Sequence, residues 1–332
     1  MIHTFLMKFP ITDEDVNVAQ IKFGTDYKHL NQYFQKVYGE YFNFALVPQI
    51  TKGHGRWYLS LFVDAVALLQ KSDITETDYR EIKLNILECL MLLFNHATHY
   101  DSHILARLDY RFDVTIENKQ LRKLYFHLIK KHVEKYRHQI KCTGKKNASG
   151  EFEDFNTTVY HNSQSVVTTA YDKEAERFAK RCKLQPYEKD VIRFEVRLLY
   201  NHLYYKASKR CKTPIPMKLE SYFKESVYYS YLKSYLLSIY PQGDYYKYAY
   251  AEKWIGYAPL KATDKALLKE FLKKSAYKSL STAKRSYSKY VYNKMLNYLG
   301  DLNINPITIP KNYPQAPRHF KNPLNDLYTK FK

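Results

Sequence analysis

No stretch of this chain approaches the about 20 consecutive apolar residues of a membrane-spanning helix. Its first residues, Met1–Phe9, alternate like a strand in place of the basic and apolar regions of a signal peptide. Both absences set the expectation of a soluble, cytoplasmic protein. Cysteine is also sparse. Cys89, Cys142, Cys182 and Cys211 stand alone, without the paired spacing of a zinc knuckle or a disulfide framework, which fits a reducing compartment. Acidic residues are the third shortage: 33 Asp and Glu stand against 53 Lys and Arg, a formal charge of +20. Such an excess favours a polyanionic partner, because clustered cations release counterions from a phosphate backbone. Nucleic acid is the first candidate. An anionic membrane is the second, and no spanning segment supports it.

At 332 residues the chain can bury a real core and is long enough for two domains. Its 34 tyrosines do not by themselves define a stacking surface, since stacking needs placed aromatics. Abundant Lys, Asn and Ile beside scarce Arg and Gly is also what an AT-rich genome produces.

Ile2–Phe9 and Arg56–Phe62 read as strands, the second after the turn Gly53-His54-Gly55. A helix is expected over 78–95, with Thr75 as its cap and Tyr79, Ile82, Ile86, Leu90 and Leu93 as its buried stripe. A second helix is expected over 119–136, with Leu121, Leu124, Leu128 and Ile129 at helical spacing, followed by a loop over 142–156. Thr157–Tyr160 and Ser165–Tyr171 form a hairpin around His161-Asn162-Ser163-Gln164. Beyond Leu199 the pattern turns helical, over 217–239, 264–274 and 282–299, and Ile307-Thr308-Ile309 offers a short wing. Lys273, Lys274, Lys278, Lys284, Arg285 and Lys289 surround a helix-turn-helix-like break at Ser279–Ser281, a basic DNA-docking candidate. These elements define an α+β class, an antiparallel sheet with helices on one face, followed by a mainly helical domain. The domain boundary is expected near residue 205, with 206–332 as a winged-helix-like DNA-binding or oligomerisation region.

Three segments carry the chemistry. In Arg107–Asp113 and Ile192–Arg197, period-2 alternation sends Leu108, Tyr110, Phe112 and Ile192, Phe194, Val196 to one face. It sends Asp109 and Glu195 to the other, together with Arg107, Arg111, Arg193 and Arg197 as candidate DNA-binding residues. The third segment, Tyr171-Asp172-Lys173-Glu174-Ala175-Glu176, supplies a phenol, an ammonium and further carboxylates. A tyrosine of pKa ~10 attacks phosphate poorly unless a cation stabilises the charge that develops. Lys173 is placed to neutralise the scissile phosphate, and Asp109, Glu176 and Glu195 would hold Mg²⁺ or Mn²⁺ if they cluster. The competing reading is simple cross-strand pairing of the carboxylates with their neighbouring arginines. His54, His96, His99 and His103 are further ligand candidates, although spacing cannot prove convergence. Tyr160, Tyr200, Tyr204 and Tyr205 are candidates for a second active tyrosine.

The ordered motifs Arg107-Leu108-Asp109, Thr158-Val159-Tyr160, Ala170-Tyr171-Asp172-Lys173-Glu174-Ala175-Glu176 and Arg193-Phe194-Glu195-Val196-Arg197 resemble the gene II replication initiators of filamentous phages. More distantly they resemble the rolling-circle plasmid initiators of Gram-positive bacteria. The resemblance covers residues 100–200 and implies an HUH-related nuclease fold acting in a bacterial cytoplasm. It implies that Tyr171 nicks one strand, retains the 5′-phosphate as phosphotyrosine and frees a 3′-hydroxyl to prime rolling-circle replication. Asp109, Glu176 and Glu195 would be metal ligands or their supports. Origin DNA is the implied partner, with a host helicase and a second copy of the chain as further candidates. A transposase or relaxase shares this chemistry, and a non-catalytic DNA-binding initiator or repressor is the rival from another class. One feature departs from the wider HUH class: the chain has no His-x-His pair.

Overall fold

The computed structural model describes the backbone of residues 1–131, 139–141, 144–146, 152–154 and 157–331, and no side chain between 132 and 156. Among the described residues ten strands precede residue 200: β1 Ile2–Ile11, β2 Leu46–Gly53, β3 Arg56–Asp64, β4 Ile104–Thr115, β5 Gln139–Lys141, β6 Gly144–Lys146, β7 Phe152–Asp154, β8 Thr158–Asn162, β9 Val166–Asp172 and β10 Val191–Leu199. Tyr245–Tyr246 (β11) and His319–Phe320 (β12) make a separate short pair. The main sheet has eight strands in the order β2-β3-β1-β4-β10-β9-β8-β5. β1 runs antiparallel to both β3 and β4, and its register sets Thr4 opposite Asp109. The fold is α+β, built on this antiparallel sheet.

The helices are α1 Asp13–Phe23, α2 Leu30–Tyr38, α3 Ala65–Leu69, α4 Tyr79–Phe94, α5 Lys119–Ile129, α6 Lys173–Ala179, α7 Tyr200–Ala207, α8 Leu219–Tyr222, α9 Glu225–Tyr231, α10 Tyr248–Tyr257, α11 Ala262–Tyr277, α12 Leu280–Ser286, α13 Lys289–Asp301 and α14 Asn325–Thr329. Thr75 does cap the entry to α4, through a capping box with Asp78 that opens a 3₁₀ turn, and Asn95 ends α4 in the left-handed region at φ 65°. The chain packs as two compact units of interleaved segments. One comprises Met1–Phe112, Gln164–Val167 and Glu195–Tyr231; the other comprises Asp113–Ser163, Thr168–Phe194 and Leu232–Lys332.

In the first unit Phe5, Met7, Phe9, Leu59, Leu61 and Val63 of β1 and β3 and the Ile82, Ile86, Leu90 and Leu93 stripe of α4 are all fully buried and make up much of the core. In the second, Tyr125 packs edge-on to Phe194 and Tyr245, at 6.3 and 6.0 Å between ring centroids. Tyr110, Tyr125, Tyr222, Tyr240 and Tyr245 are fully buried, so part of the high tyrosine content builds core.

Several expected elements differ. The helix over 217–239 is broken into α8, α9 and a π-helical turn at Leu232–Leu237, and the helix over 282–299 is interrupted where α12 gives way to Ser288, the cap of α13. Ile307, Thr308 and Ile309 form no exposed wing. All three are buried, and Ile309 makes only an isolated bridge to Lys247, because an Ile-x-Ile segment gains more from the core than from solvent. Within the stretch expected as a loop, 144–146 and 152–154 pair as a short ladder. The end of the helix expected to reach residue 136, and Cys142, lie outside the described residues. Strand β2 and helices α1, α2 and α10 were not anticipated, and of these α2 carries a clear amphipathic stripe, with Leu30 and Phe34 buried on one face. Among the described residues no helix is long and apolar enough to cross a membrane.

Candidate active site

In the first unit the charged side of β4 and β10 is not a solvent face. Asp109 is 1% exposed and Glu195 6% exposed. A carboxylate taken out of water this completely must be hydrogen-bonded and paired. Asp109 accepts from the Thr4 hydroxyl at 3.0 Å, as the β1–β4 register dictates. It also accepts from Arg107 Nε at 2.9 Å and from the same guanidinium's Nη2. Arg197 Nε lies 3.1 Å from both Asp109 oxygens, and its Nη2 lies 3.0 Å from Oδ2. Arg197 further approaches Glu195 at 3.9 Å, and His3 Nδ1 stands 2.9 Å from Glu195 Oε1. Asp109 and Glu195 are thus brought together through one shared arginine. Arg111 is also buried, at 4% exposure, and does not present its guanidinium at the surface as a phosphate contact would.

In the second unit Tyr171 is the penultimate residue of β9, and Asp172 caps α6 by accepting from the Ala175 amide at 3.1 Å. Helix α6 therefore starts directly after Tyr171 and its neighbour Asp172. Tyr171 is half-buried, with Lys173 Nζ 5.8 Å from its ring centroid. Lys173 is itself buried, 2.8 Å from Glu176 and 3.5 Å from Glu188. Burial would raise the carboxyls of Glu176 and Glu188, but their cationic partners outweigh it and hold both below the usual range. Those partners are Lys173 and Lys180 for Glu176; for Glu188 they are Arg177 and Lys173, with the Gln185 amide. Arg193, 1% exposed, donates two parallel 2.8 Å bonds to Asp113 and so serves the interior.

Arg122 was not anticipated. It stands inside the apolar stripe of α5, 3% exposed, donating to Asp172 Oδ2 at 3.1 Å and also to Glu174 and Asp190. Its Nη1 further donates to the Ile116 carbonyl at 2.8 Å. One guanidinium thus fixes the first turn of α6 directly after Tyr171. An arginine among buried helical positions was the available signal. Lys284 and Arg285 are exposed on α12. Of the other tyrosines, Tyr160 is half-buried in β8, while Tyr200, Tyr204 and Tyr205 are exposed on α7.

The histidines separate clearly. His54 is exposed in its turn. His103 is buried and fully engaged, donating through Nδ1 to the Tyr100 carbonyl at 2.6 Å and accepting the Leu219 amide on Nε2 at 3.0 Å. Burial lowers its pKa. His96 and His99 instead converge with Asp15 of α1. Each Nε2 lies 2.9 Å from one Asp15 oxygen, and the three donor groups all fall within 4.8 Å of one another. Burial would raise the Asp15 carboxyl, but the Thr12 amide and hydroxyl and the His99 ring together hold it below the usual range. Among the described residues this is the group of three His, Cys, Asp or Glu side chains close enough to hold a metal ion.

No family model matches the chain, and no curated protein matches it in sequence. Among solved structures, it is similar to a rolling circle replication initiator protein from Geobacillus stearothermophilus at 12% identity and a TM-score of 0.29, over 94% of this chain and 98% of that one. It is also similar to the di-domain ARO/CYC BexL of the BE-7585A biosynthetic pathway, at 9% identity and a TM-score of 0.22, over 58% of this chain and 65% of that one. At those scores neither likeness bears on function.

Proposed function

We propose that this chain is a DNA-nicking replication initiator of the rolling-circle type, with Tyr171 as its nucleophile. The reading is carried by the placement of Tyr171, at the end of a strand and directly before a capped helix, beside the Lys173 ammonium and with the Arg122 clamp immediately following. In this reaction the Tyr171 oxygen attacks the scissile phosphorus and loses its proton. The bond from phosphorus to the 3′ oxygen breaks, that oxygen takes up a proton as the free 3′-hydroxyl, and the 5′-phosphate stays on the tyrosine. Lys173, on release from Glu176 and Glu188, would offset the negative charge of the phosphoryl group. Arg122 acts as a positioning residue for the turn that carries it. The charge of +20 and the exposed Lys284 and Arg285 support a DNA partner.

The cation expected for this chemistry is Mg²⁺ or Mn²⁺, with Asp109, Glu176 and Glu195 as its proposed donors. Both oxygens of Asp109 are taken by Arg107, Arg197 and Thr4, and Glu176 is taken by Lys173 and Lys180. As they stand, these donor sets do not fit an ion, and no step is assigned to one. That same saturation favours a second reading, a DNA-binding initiator or repressor without catalysis.

The test is incubation of wild type and Tyr171→Phe with labelled single-stranded DNA of the protein's own replicon, with Mg²⁺ or Mn²⁺ present, followed by a denaturing gel. A protein-bound label in wild type only is expected. An adduct persisting in Tyr171→Phe moves the nucleophile to another tyrosine. Tight binding without any adduct establishes the second reading.

A further inference from the structure

We propose that Asp15, His96 and His99 form a binding site for a divalent transition-metal ion, separate from the nicking chemistry. All three belong to the first unit and come from two segments, the first turn of α1 and the connection between α4 and β4. Two imidazole nitrogens and one carboxylate are a donor set for zinc, manganese, cobalt or iron; magnesium prefers oxygen alone. Ligands bound at about 2.0–2.2 Å to one ion lie about 3–3.5 Å apart. The two observed separations between imidazole and carboxylate are 2.9 Å, each to a different Asp15 oxygen, and all three donor atoms lie within 4.8 Å of one another, so one ion can reach all three after small side-chain rotations.

Three further features favour a ligand site over a mere hydrogen-bonded triad. First, the Thr98 hydroxyl lies 2.9 Å from His96 Nδ1, on the side away from Asp15. That hydroxyl can accept the Nδ1 proton once an ion holds Nε2, as the outer partners of metal-bound histidines do. Second, among the described residues the ion pairs of Asp15 are made with these two imidazoles, and the Thr12 amide and hydroxyl, each 2.7 Å from Oδ2, fix the carboxylate in place before them. Third, access differs across the site: the side chain of Asp15 is 6% exposed and that of His99 15%, while that of His96 is 40% exposed. The buried side fixes the geometry, and the His96 side admits the ion and leaves room for water as a further ligand.

The experiment uses the full chain, stripped with a chelator and then titrated with Zn²⁺ or Co²⁺ by calorimetry, with the cobalt d–d spectrum as a second readout. One equivalent is expected to bind, with a cobalt spectrum of nitrogen and oxygen ligation and a raised Tm. His99→Gln and His96→Gln should each weaken binding at least tenfold, His54→Gln should leave it unchanged, and Mg²⁺ at the same concentration should not compete. His96 is half-exposed, so His96→Gln decides the matter if His99→Gln does not fold. Absence of binding to wild type, or full affinity in folded His96→Gln, overturns the proposal. The label-transfer assay with Tyr171→Phe is unaffected by either outcome.

Discussion

Asp109 and Asp15 are both buried aspartates of the first unit, 1% and 4% exposed, and they differ in what surrounds the carboxylate. Asp109 is enclosed by two guanidiniums, which stay protonated at any ordinary pH and already occupy the position a cation would take. Asp15 is met by two imidazoles, which can give up a proton and turn a lone pair to a metal. The same residue type at the same burial is therefore a strut in one place and a ligand candidate in the other. The partner's chemistry decides between them.

The strongest way to sharpen the comparison lies in the second unit, where the stoichiometry is inverted and one buried guanidinium, Arg122, holds Asp172, Glu174 and Asp190. Replacing it by methionine strands three carboxylates, and Arg122→Met should cost about 3–5 kcal/mol in urea unfolding. A loss below 1 kcal/mol would show that solvent screens this cluster.

Next in size is an acid effect that imidazoles can produce and guanidiniums cannot. His202 is buried against the Tyr231 hydroxyl at 3.0 Å, and burial, with the Lys206 charge, pushes its pKa down to about 4. The unfolded chain, with a histidine pKa of about 6.5, binds this proton first as the pH falls. Stability is therefore intact above about pH 6.5 and is lost progressively toward pH 4, by about 3 kcal/mol. His202→Gln should flatten that part of the unfolding-midpoint profile, and an identical slope in both proteins would refute the assignment.

The comparison itself predicts unequal costs for its two carboxylates. Arg107 and Arg197 are about a third exposed, so the full cost of a stranded buried charge is discounted, and Asp109→Ala should lose about 2 kcal/mol. Without metal, Asp15→Ala removes mainly the acceptor of the Thr12 capping box, about 1 kcal/mol. Equal losses in chelated protein would break the distinction between strut and ligand.

Much of the architecture was legible beforehand because it rests on local periodicity. The alternation in Leu108–Phe112 and Ile192–Val196, the stripe of α4 and the Thr75 cap each depend on residues a few positions apart. The start of α6 at Asp172 is as local a feature, since a capping side chain reaches only its own first turn, but it was not read beforehand. The burial of the charged faces of β4 and β10 was not. Alternation separates two faces without saying which one solvent reaches, and here both are covered. The break-up of the helix expected over 217–239 also escaped, because its tyrosines fit a helical stripe while tertiary packing selects three short pieces.

By itself the sequence determined an α+β chain of strongly basic charge, with two strands bearing Asp109 and Glu195 and a hairpin strand ending in Tyr171. Those features follow from side-chain spacing and net charge, which no folding event changes. Only the tertiary structure decided which ions meet: Arg197 with Asp109 across 88 positions, Arg122 with Asp172 across 50, and Asp15 with His99 across 84. Pairing over such distances depends on strand register and on the docking of α1 and α5, set by apolar burial over the whole sheet and not by the charged residues themselves.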